Sequence, residues 1–132
     1  MLTGTCHCGA TGWQFEDDPS TVTACNCSLC RRFAALWAYG VAQQTVRFQG
    51  DTKDYERTDH GQLTFFHCPT CSATLGWFAV APTAKGVRQA AVNLRMIDDP
   101  TPILSFPVRH FEGLHTFKSL GHDARTVKDM WF

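Results

Sequence analysis

The seven cysteines of this chain fall into three short clusters, and their spacing is its clearest chemical signal. The clusters are a C-x-C, a C-x-C-x-x-C and a C-x-x-C motif, formed in turn by Cys6 and Cys8, by Cys25, Cys27 and Cys30, and by Cys68 and Cys71. Tetrahedral zinc with Zn–S bonds of about 2.3 Å holds its sulfurs about 3.8 Å apart. Cysteines two or three positions apart in a tight turn reach that separation, so the spacing predicts zinc binding by all seven.

Disulfides and redox chemistry are the alternatives to a metal. Seven is an odd number, so a closed set of disulfides leaves one cysteine over, and a C-x-C pair closes a disulfide only with strain. A redox C-x-x-C usually stands beside a βαβ pattern, which the segments around Cys68 lack. A buried apolar role suits an isolated cysteine, and none of the seven is isolated. The metal interpretation is therefore favoured.

The seven ligands divide into four and three. A structural zinc is closed by four protein ligands, whereas a catalytic zinc uses three and keeps one position open. The predicted structural site takes the two distant pairs, Cys6 with Cys8 and Cys68 with Cys71. The predicted catalytic site takes the contiguous set, Cys25, Cys27 and Cys30. In the alternative arrangement a histidine, His60 or His67, completes the three-cysteine set.

Zn²⁺ with three thiolate ligands has a net charge of −1, and this charge determines the chemistry of the predicted catalytic site. Such a zinc is less suited to making hydroxide from water than one held by neutral histidines. It can still bind an incoming thiol as the nucleophilic thiolate. Arg31 and Arg32 follow Cys30 directly and could offset the charge or hold a substrate carboxylate. The simpler interpretation is that both are solvated surface charges.

The elements that position these cysteines are predicted to be mainly β. Short segments rich in β-branched and aromatic residues, separated by turn residues, predict strands at 9–15, 22–25, 36–41, 45–48, 53–57, 63–68, 74–80 and 89–94. Helical periodicity is weak, and the candidate helices are 28–35, with Ser28 as its N-cap, and 123–130. We expect one domain over residues 1–132, built from one or two antiparallel sheets.

Composition narrows the functional classes. Twelve basic and twelve acidic residues give a formal net charge of zero, which provides no electrostatic attraction for nucleic acid or an anionic membrane. No segment approaches the roughly 20 apolar residues of a membrane span. The first residues contain neither a basic segment nor an apolar run for export, so a cytoplasmic location is expected. The apolar tail, Met130-Trp131-Phe132, is expected to pack on the domain or on a second subunit, which would make a homo-oligomer.

The order and spacing of the motifs resemble those of the glutathione-dependent formaldehyde-activating enzymes, which share a domain with centromere protein V. The resemblance extends over nearly the whole chain and is carried by Gly4-Thr5-Cys6-His7-Cys8-Gly9, residues 25–32, Cys68-Pro69-Thr70-Cys71 and Val92-Asn93-Leu94. Two positions depart from the family pattern. Asn26 stands where relatives often have histidine, and Ser72-Ala73 follow the last motif where a glycine is usual.

The resemblance implies a zinc-binding β-sheet fold like that of the Mss4 protein. It also implies a carbon–sulfur lyase, which joins glutathione reversibly to formaldehyde as S-(hydroxymethyl)glutathione. By position, the two distant cysteine pairs hold a structural zinc, and Cys25, Cys27 and Cys30 hold the catalytic one. The expected partners are glutathione, or another small thiol, and an aldehyde. Fold alone does not determine function, so a non-catalytic zinc module for partner binding is the alternative.

Overall fold

The computed structural model describes residues 1–59 and 62–131, and this part of the chain forms eleven strands. They are β1 (Leu2–Thr5), β2 (Gly12–Phe15), β3 (Val22–Cys25), β4 (Leu36–Val41), β5 (Val46–Gln49), β6 (Lys53–Glu56), β7 (Leu63–His67), β8 (Thr74–Ala79), β9 (Gln89–Asn93), β10 (Pro107–Glu112) and β11 (Lys118–Thr126). The helices are short: α1 (Cys30–Phe33) and the 3₁₀ helices η1 (Leu94–Met96), η2 (Thr101–Ile103) and η3 (Val127–Met130). None of these helices is long and apolar enough to cross a bilayer.

The strands form two sheets, which confirms the prediction of a mainly β fold. The smaller sheet has the order β1-β2-β5, and the larger one has the order β11-β10-β3-β4-β9-β8-β7-β6. Neighbouring strands are antiparallel except β3 and β10, where Val22 lies opposite Val108 in a parallel ladder. The expectation of purely antiparallel sheets is therefore wrong at this one pair. The long connection between β3 and β10 permits it, because parallel neighbours need a crossover rather than a hairpin.

The main core lies between the two sheets. Successive side chains of a strand point to opposite faces, so one face of the large sheet supplies every second residue to this core. Leu36, Val92 and Phe78 from the large sheet pack in one buried cluster with Trp13 and Phe15 from the small sheet. Residues of the opposite register, including Cys25, therefore lie on the outer face of the large sheet.

Aromatic side chains cover part of the outer face of the large sheet. The ladders place Trp77 beside Phe65 on one side and beside Ala91 on the other. Trp37, Phe65 and Trp77 form a second buried cluster, which also contains Cys27 and Cys30. The loop that carries the cysteines thus packs on the outer face of the sheet, where large apolar side chains shield it from water.

The predicted strands agree closely with the structure in the middle of the chain. The predictions at 22–25 and 36–41 match β3 and β4, and the remaining six overlap β2 and β5 to β9. β1, β10 and β11 were not predicted. β11 is exposed at seven of its nine positions, so it has none of the apolar alternation that indicates a half-buried strand.

Both helix predictions need correction. Residues 123–126 belong to β11, whose Thr126 pairs with Pro107, and only Val127–Met130 is helical, as a 3₁₀ turn with a Thr126–Asp129 capping box. The first helix is limited to Cys30–Phe33, and Ser28 does not cap it. Met130 and Trp131 pack against the main core, as expected for the tail, whereas Phe132 lies outside the described residues.

Candidate metal centres

The four-cysteine cluster joins the two sheets. Cys6 and Cys8 lie in the loop between β1 and β2, and Cys68 and Cys71 lie in the turn between β7 and β8. The sulfurs of Cys6 and Cys8, and those of Cys8 and Cys68, are 3.5 Å apart, and all four lie within 4.8 Å of one another. A tetrahedral zinc requires separations of about 3.8 Å, so this donor set fits a closed metal site.

Backbone N–H groups surround these sulfurs. The amide of Thr11 donates to Cys6 Sγ over 3.3 Å, and that of Cys71 donates to Cys68 Sγ over 3.5 Å. Burial raises the pKa of Cys6, but hydrogen bonds from Thr11 and from the neighbouring thiols outweigh it and lower the pKa to about 5. A backbone hydrogen bond lowers the pKa of Cys8, yet the adjacent sulfurs raise it to about 12. The cluster therefore holds thiolate charge that a bound cation would neutralise.

Ser72 gives the first testable prediction. It follows Cys71 with a φ of 62°, in the left-handed region that favours glycine. We expect Ser72→Gly to raise the free energy of unfolding by about 1 kcal/mol, because the Cβ strain is removed. Thermal unfolding of the metal-loaded protein measures this. Ser72→Ala is the matched control, since it removes the hydroxyl and keeps the Cβ; equal shifts for both variants would contradict the prediction.

The three-cysteine cluster is built from a strand end, a turn and a helix start. Cys25 ends β3, and Cys30 begins α1. The sulfurs of Cys25, Cys27 and Cys30 lie within 4.8 Å of one another. Cys27 N donates to Cys25 Sγ over 3.4 Å, and Cys30 N donates to Cys27 Sγ over 3.3 Å. The N-cap of α1 is Leu29, whose side chain makes no capping hydrogen bond, so the prediction of Ser28 as the cap is wrong.

The indole N–H of Trp37, a buried residue of β4, is a further hydrogen-bond donor to these sulfurs. Trp37 Nε1 donates to Cys30 Sγ over 3.3 Å, so each of the three sulfurs accepts an N–H. Hydrogen bonds from Cys25 and Cys30 lower the pKa of Cys27, and the same sharing of charge raises the pKa of Cys30. Hydrogen bonding within the cluster therefore favours the thiolate form of Cys27.

Arg57 is a functional candidate that the sequence did not indicate. Its guanidinium is almost fully buried, and Nη1 lies 3.7 Å from Cys27 Sγ. Nε and Nη2 bind Asp59 over 2.7 and 2.8 Å, and this pairing raises the pKa of Arg57. Asp59 is therefore the main partner of the guanidinium, and the sulfur of Cys27 is a second, more distant one.

Arg31 and Arg32, which follow Cys30, do not contact the cysteine sulfurs as Arg57 does. Arg31 and Arg32 are exposed, and Arg32 donates to the carbonyl oxygen of Ser28. Arg57 lies 30 positions from Cys27 along the chain, immediately after β6. No local motif marks it, because its approach to the sulfur depends on how the β6–β7 hairpin packs against the cysteine loop.

Within residues 1–59 and 62–131, no histidine or carboxylate joins the three sulfurs as a further ligand. His67, one of the two candidates, contacts Thr74 Oγ1 through Nδ1 at 3.2 Å, and its ring packs on Phe33. The other candidate, His60, lies outside the described residues. The described part of the site thus offers three ligands to an ion and leaves room for a fourth from a substrate.

A pocket of about 110 Å³ opens over the three sulfurs. Arg57 and Leu63 line part of it, and the rest is aromatic, formed by Trp37, Tyr39, Phe65, Trp77, Phe111 and Phe117. Such walls suit a small substrate whose reacting atoms must be kept from bulk water. Trp37 and Trp77 thus belong to the second buried cluster and also line this pocket.

The turn between β10 and β11 covers one side of the cluster. A Cβ on Gly113 would lie 2.8 Å from Cys25 Sγ, so only glycine fits there without displacement of the turn. Asn26 Oδ1 accepts from Gly113 N over 2.8 Å, and Asn26 Nδ2 donates to Glu112 Oε1 over 3.2 Å. Asn26 therefore binds the cysteine loop to this turn.

Comparisons with known proteins agree with the geometry. The sequence model of the family described as "Glutathione-dependent formaldehyde-activating enzyme" matches residues 1–107, which include all seven cysteines. No curated protein matches the chain. A crystal structure of a Rhodobacter sphaeroides protein matches with a TM-score of 0.60 and 22% identity, over 80% of this chain and 98% of that one. At this identity the structural match supports the fold alone.

Proposed function

Because the chain belongs to the glutathione-dependent formaldehyde-activating enzyme family, we propose that it is a zinc-dependent carbon–sulfur lyase. Its substrates are adducts of glutathione, or of another small thiol, with formaldehyde or another aldehyde. The reaction forms or breaks the bond between the thiol sulfur and the carbonyl carbon. The observation that carries the proposal is the convergence of three cysteine sulfurs beneath a small aromatic pocket.

The two cysteine clusters have separate roles in this proposal. The donors at Cys6, Cys8, Cys68 and Cys71 make a closed set, which suits a structural zinc between the sheets. Cys25, Cys27 and Cys30 would hold the second zinc, which when bound favours the thiolate form of a substrate thiol. The pocket above these three sulfurs is where that thiol would enter.

The residues around the three sulfurs position the ligands and balance their charge. The amides of Cys27 and Cys30 and the indole of Trp37 each donate to a sulfur, so the ligands keep one arrangement while the substrate exchanges. The guanidinium of Arg57 offsets the negative charge that would otherwise oppose the approach of another thiolate. Its burial strengthens the effect, because little water screens the pair.

The proposed addition balances without a redox partner. The substrate thiol gives up its proton, its sulfur bonds to the carbonyl carbon, and the former carbonyl oxygen takes up a proton. The reverse direction breaks the carbon–sulfur bond of the hemithioacetal and restores the thiol and the aldehyde. Aromatic walls such as Trp37 and Phe65 limit the water around the sulfur, which keeps the thiolate reactive.

Cobalt substitution tests thiol binding directly. In the cobalt-loaded protein, millimolar glutathione is expected to change the visible absorption of the three-cysteine site, because a new sulfur ligand alters the geometry of the ion. The change should vanish in Cys27→Ser and persist in Ser28→Ala, a neighbouring control. A spectrum that ignores glutathione and other small thiols would make the non-catalytic zinc module the better interpretation.

A further inference from the structure

A second groove adjoins the cysteine pocket on the outer face of the large sheet. Its volume is about 350 Å³, and its lining residues are Tyr39, Gly40, Trp77, Gln89, Ala90 and Arg109. Tyr39 and Trp77 also line the pocket over the three sulfurs. The groove and the pocket therefore meet at these two aromatic side chains, and a ligand longer than a simple thiol can occupy both.

Arg109 is held in a defined position in this groove. Its Nε and Nη2 donate to Thr23 Oγ1 over 3.1 and 2.9 Å, and its guanidinium carbon lies 5.5 Å from the centre of the Tyr39 ring. In the parallel ladder Arg109 pairs with Thr23, and Phe111 pairs with Cys25. Two positions along a strand correspond to about 6.6 Å, a span that a short peptide-like thiol bridges.

One edge of this guanidinium is available to a ligand. Arginine has five N–H donors in a planar fork, and Thr23 occupies the edge formed by Nε and Nη2. The edge formed by Nη1 and Nη2 has the geometry that binds both oxygens of a carboxylate. Among the described residues no carboxylate forms an ion pair with Arg109.

The other arginines near the cysteines are less suited to this role. Arg57 already directs its fork at Asp59. Arg31 and Arg32 are exposed on α1, and neither lines the pocket or the adjoining groove. Arg109 also lies beyond residue 107, where the match to the family model ends.

We propose that Arg109 binds a carboxylate of the substrate thiol and selects peptide-like thiols such as glutathione over neutral ones. The inference rests on the proposed function, since it places the sulfur of the same molecule over Cys25, Cys27 and Cys30. Tyr39 and Trp77 contact the part of the ligand that lies between the two ends. Arg109 is thus a specificity residue, separate from the groups that act on the sulfur.

The test uses S-methylglutathione, which has the carboxylates of glutathione but no free thiol. Its binding to the zinc-loaded protein is measured by tryptophan fluorescence, because Trp77 lines both the pocket and the groove. Arg109→Gln is expected to raise Kd by about 10- to 100-fold, the loss expected for a charge-assisted hydrogen-bonded pair. The diethyl ester of S-methylglutathione has no free carboxylate. Its Kd values for wild type and for Arg109→Gln should therefore agree within about twofold. Arg31→Gln is the control and should bind S-methylglutathione like wild type.

The outcomes separate this proposal from the proposed function. Three results would overturn the carboxylate subsite. In the first, Arg109→Gln weakens the binding of S-methylglutathione and of its diethyl ester equally. In the others, the Kd of S-methylglutathione is unchanged in Arg109→Gln, or S-methylglutathione does not bind to wild type. Arg109→Lys, which keeps the charge and loses the fork, provides a second variant and should bind with intermediate Kd. Because the probe has no thiol, its dependence on Arg109 can hold even if the cobalt spectrum shows no thiol binding; in that case only the lyase proposal fails.

Discussion

Cys6→Ser or Cys71→Ser is expected to lower the thermal unfolding midpoint by about 10 °C or more, since zinc-binding free energy becomes folding free energy. The four-cysteine cluster joins the β1–β2 loop to the β7–β8 turn, and Cys6 packs in the core between the sheets. Loss of one ligand therefore weakens both the metal site and the contact between the sheets. Calorimetry of zinc-loaded wild type and variants measures the change.

Two controls make this result specific to the metal. Thr70→Ser changes an exposed residue between Cys68 and Cys71 and should leave the midpoint within about 2 °C of wild type. A strong chelator should lower the midpoint of wild type toward that of Cys6→Ser and should affect the variant less. Unchanged midpoints in both cysteine variants would contradict a structural role for this cluster.

Cys27→Ser is expected to lower kcat/KM for formation of the thiol–aldehyde adduct by about 1,000-fold or more, which corresponds to about 4 kcal/mol. Cys27 Sγ accepts from the amide of Cys30 and lies 3.7 Å from the Arg57 guanidinium, so it has the most contacts in the cluster. A hydroxyl there would not ionise at neutral pH, and the ion would lose one of its three ligands. Steady-state kinetics on the zinc-loaded protein measures the loss.

The same variant separates the two sites by stability. Cys27→Ser should lower the unfolding midpoint less than Cys6→Ser does, because the cluster at Cys25, Cys27 and Cys30 lies within one loop and helix rather than between sheets. Ser28→Ala is the control for the loop and should keep both activity and stability. If Cys27→Ser unfolds at the lower temperature and retains activity, the structural and catalytic assignments must be exchanged.

Much of the fold could be predicted from sequence because local patterns determine it. The short β-branched and aromatic segments of β3 and β4 were predicted as strands with their observed bounds, and Val22 and Leu36 from these strands lie in the core. β10 and β11 were not predicted from the sequence, and the reason differs for the two strands. β10 pairs in parallel with β3, a strand far away along the chain, and β11 is an exposed edge strand whose order comes from pairing with β10.

The cysteine clusters could be grouped from spacing alone. Cysteines two or three positions apart share a turn, so neither distant contacts nor metal are needed to bring Cys25, Cys27 and Cys30 together. The union of the pair at Cys6 and Cys8 with the pair at Cys68 and Cys71 was inferred by counting ligands. The structure brings their sulfurs together, and their binding of zinc stays a prediction.

The sequence by itself determined which residues can act as ligands, because thiol chemistry and tight spacing are local properties. Only the tertiary structure decided what surrounds them. Arg57 reaches Cys27 through a hairpin, Gly113 covers Cys25 from a turn near the end of the chain, and Arg109 adjoins the pocket through a parallel ladder. These contacts join segments 30 or more positions apart, so their geometry depends on sheet order and packing, which no local pattern records.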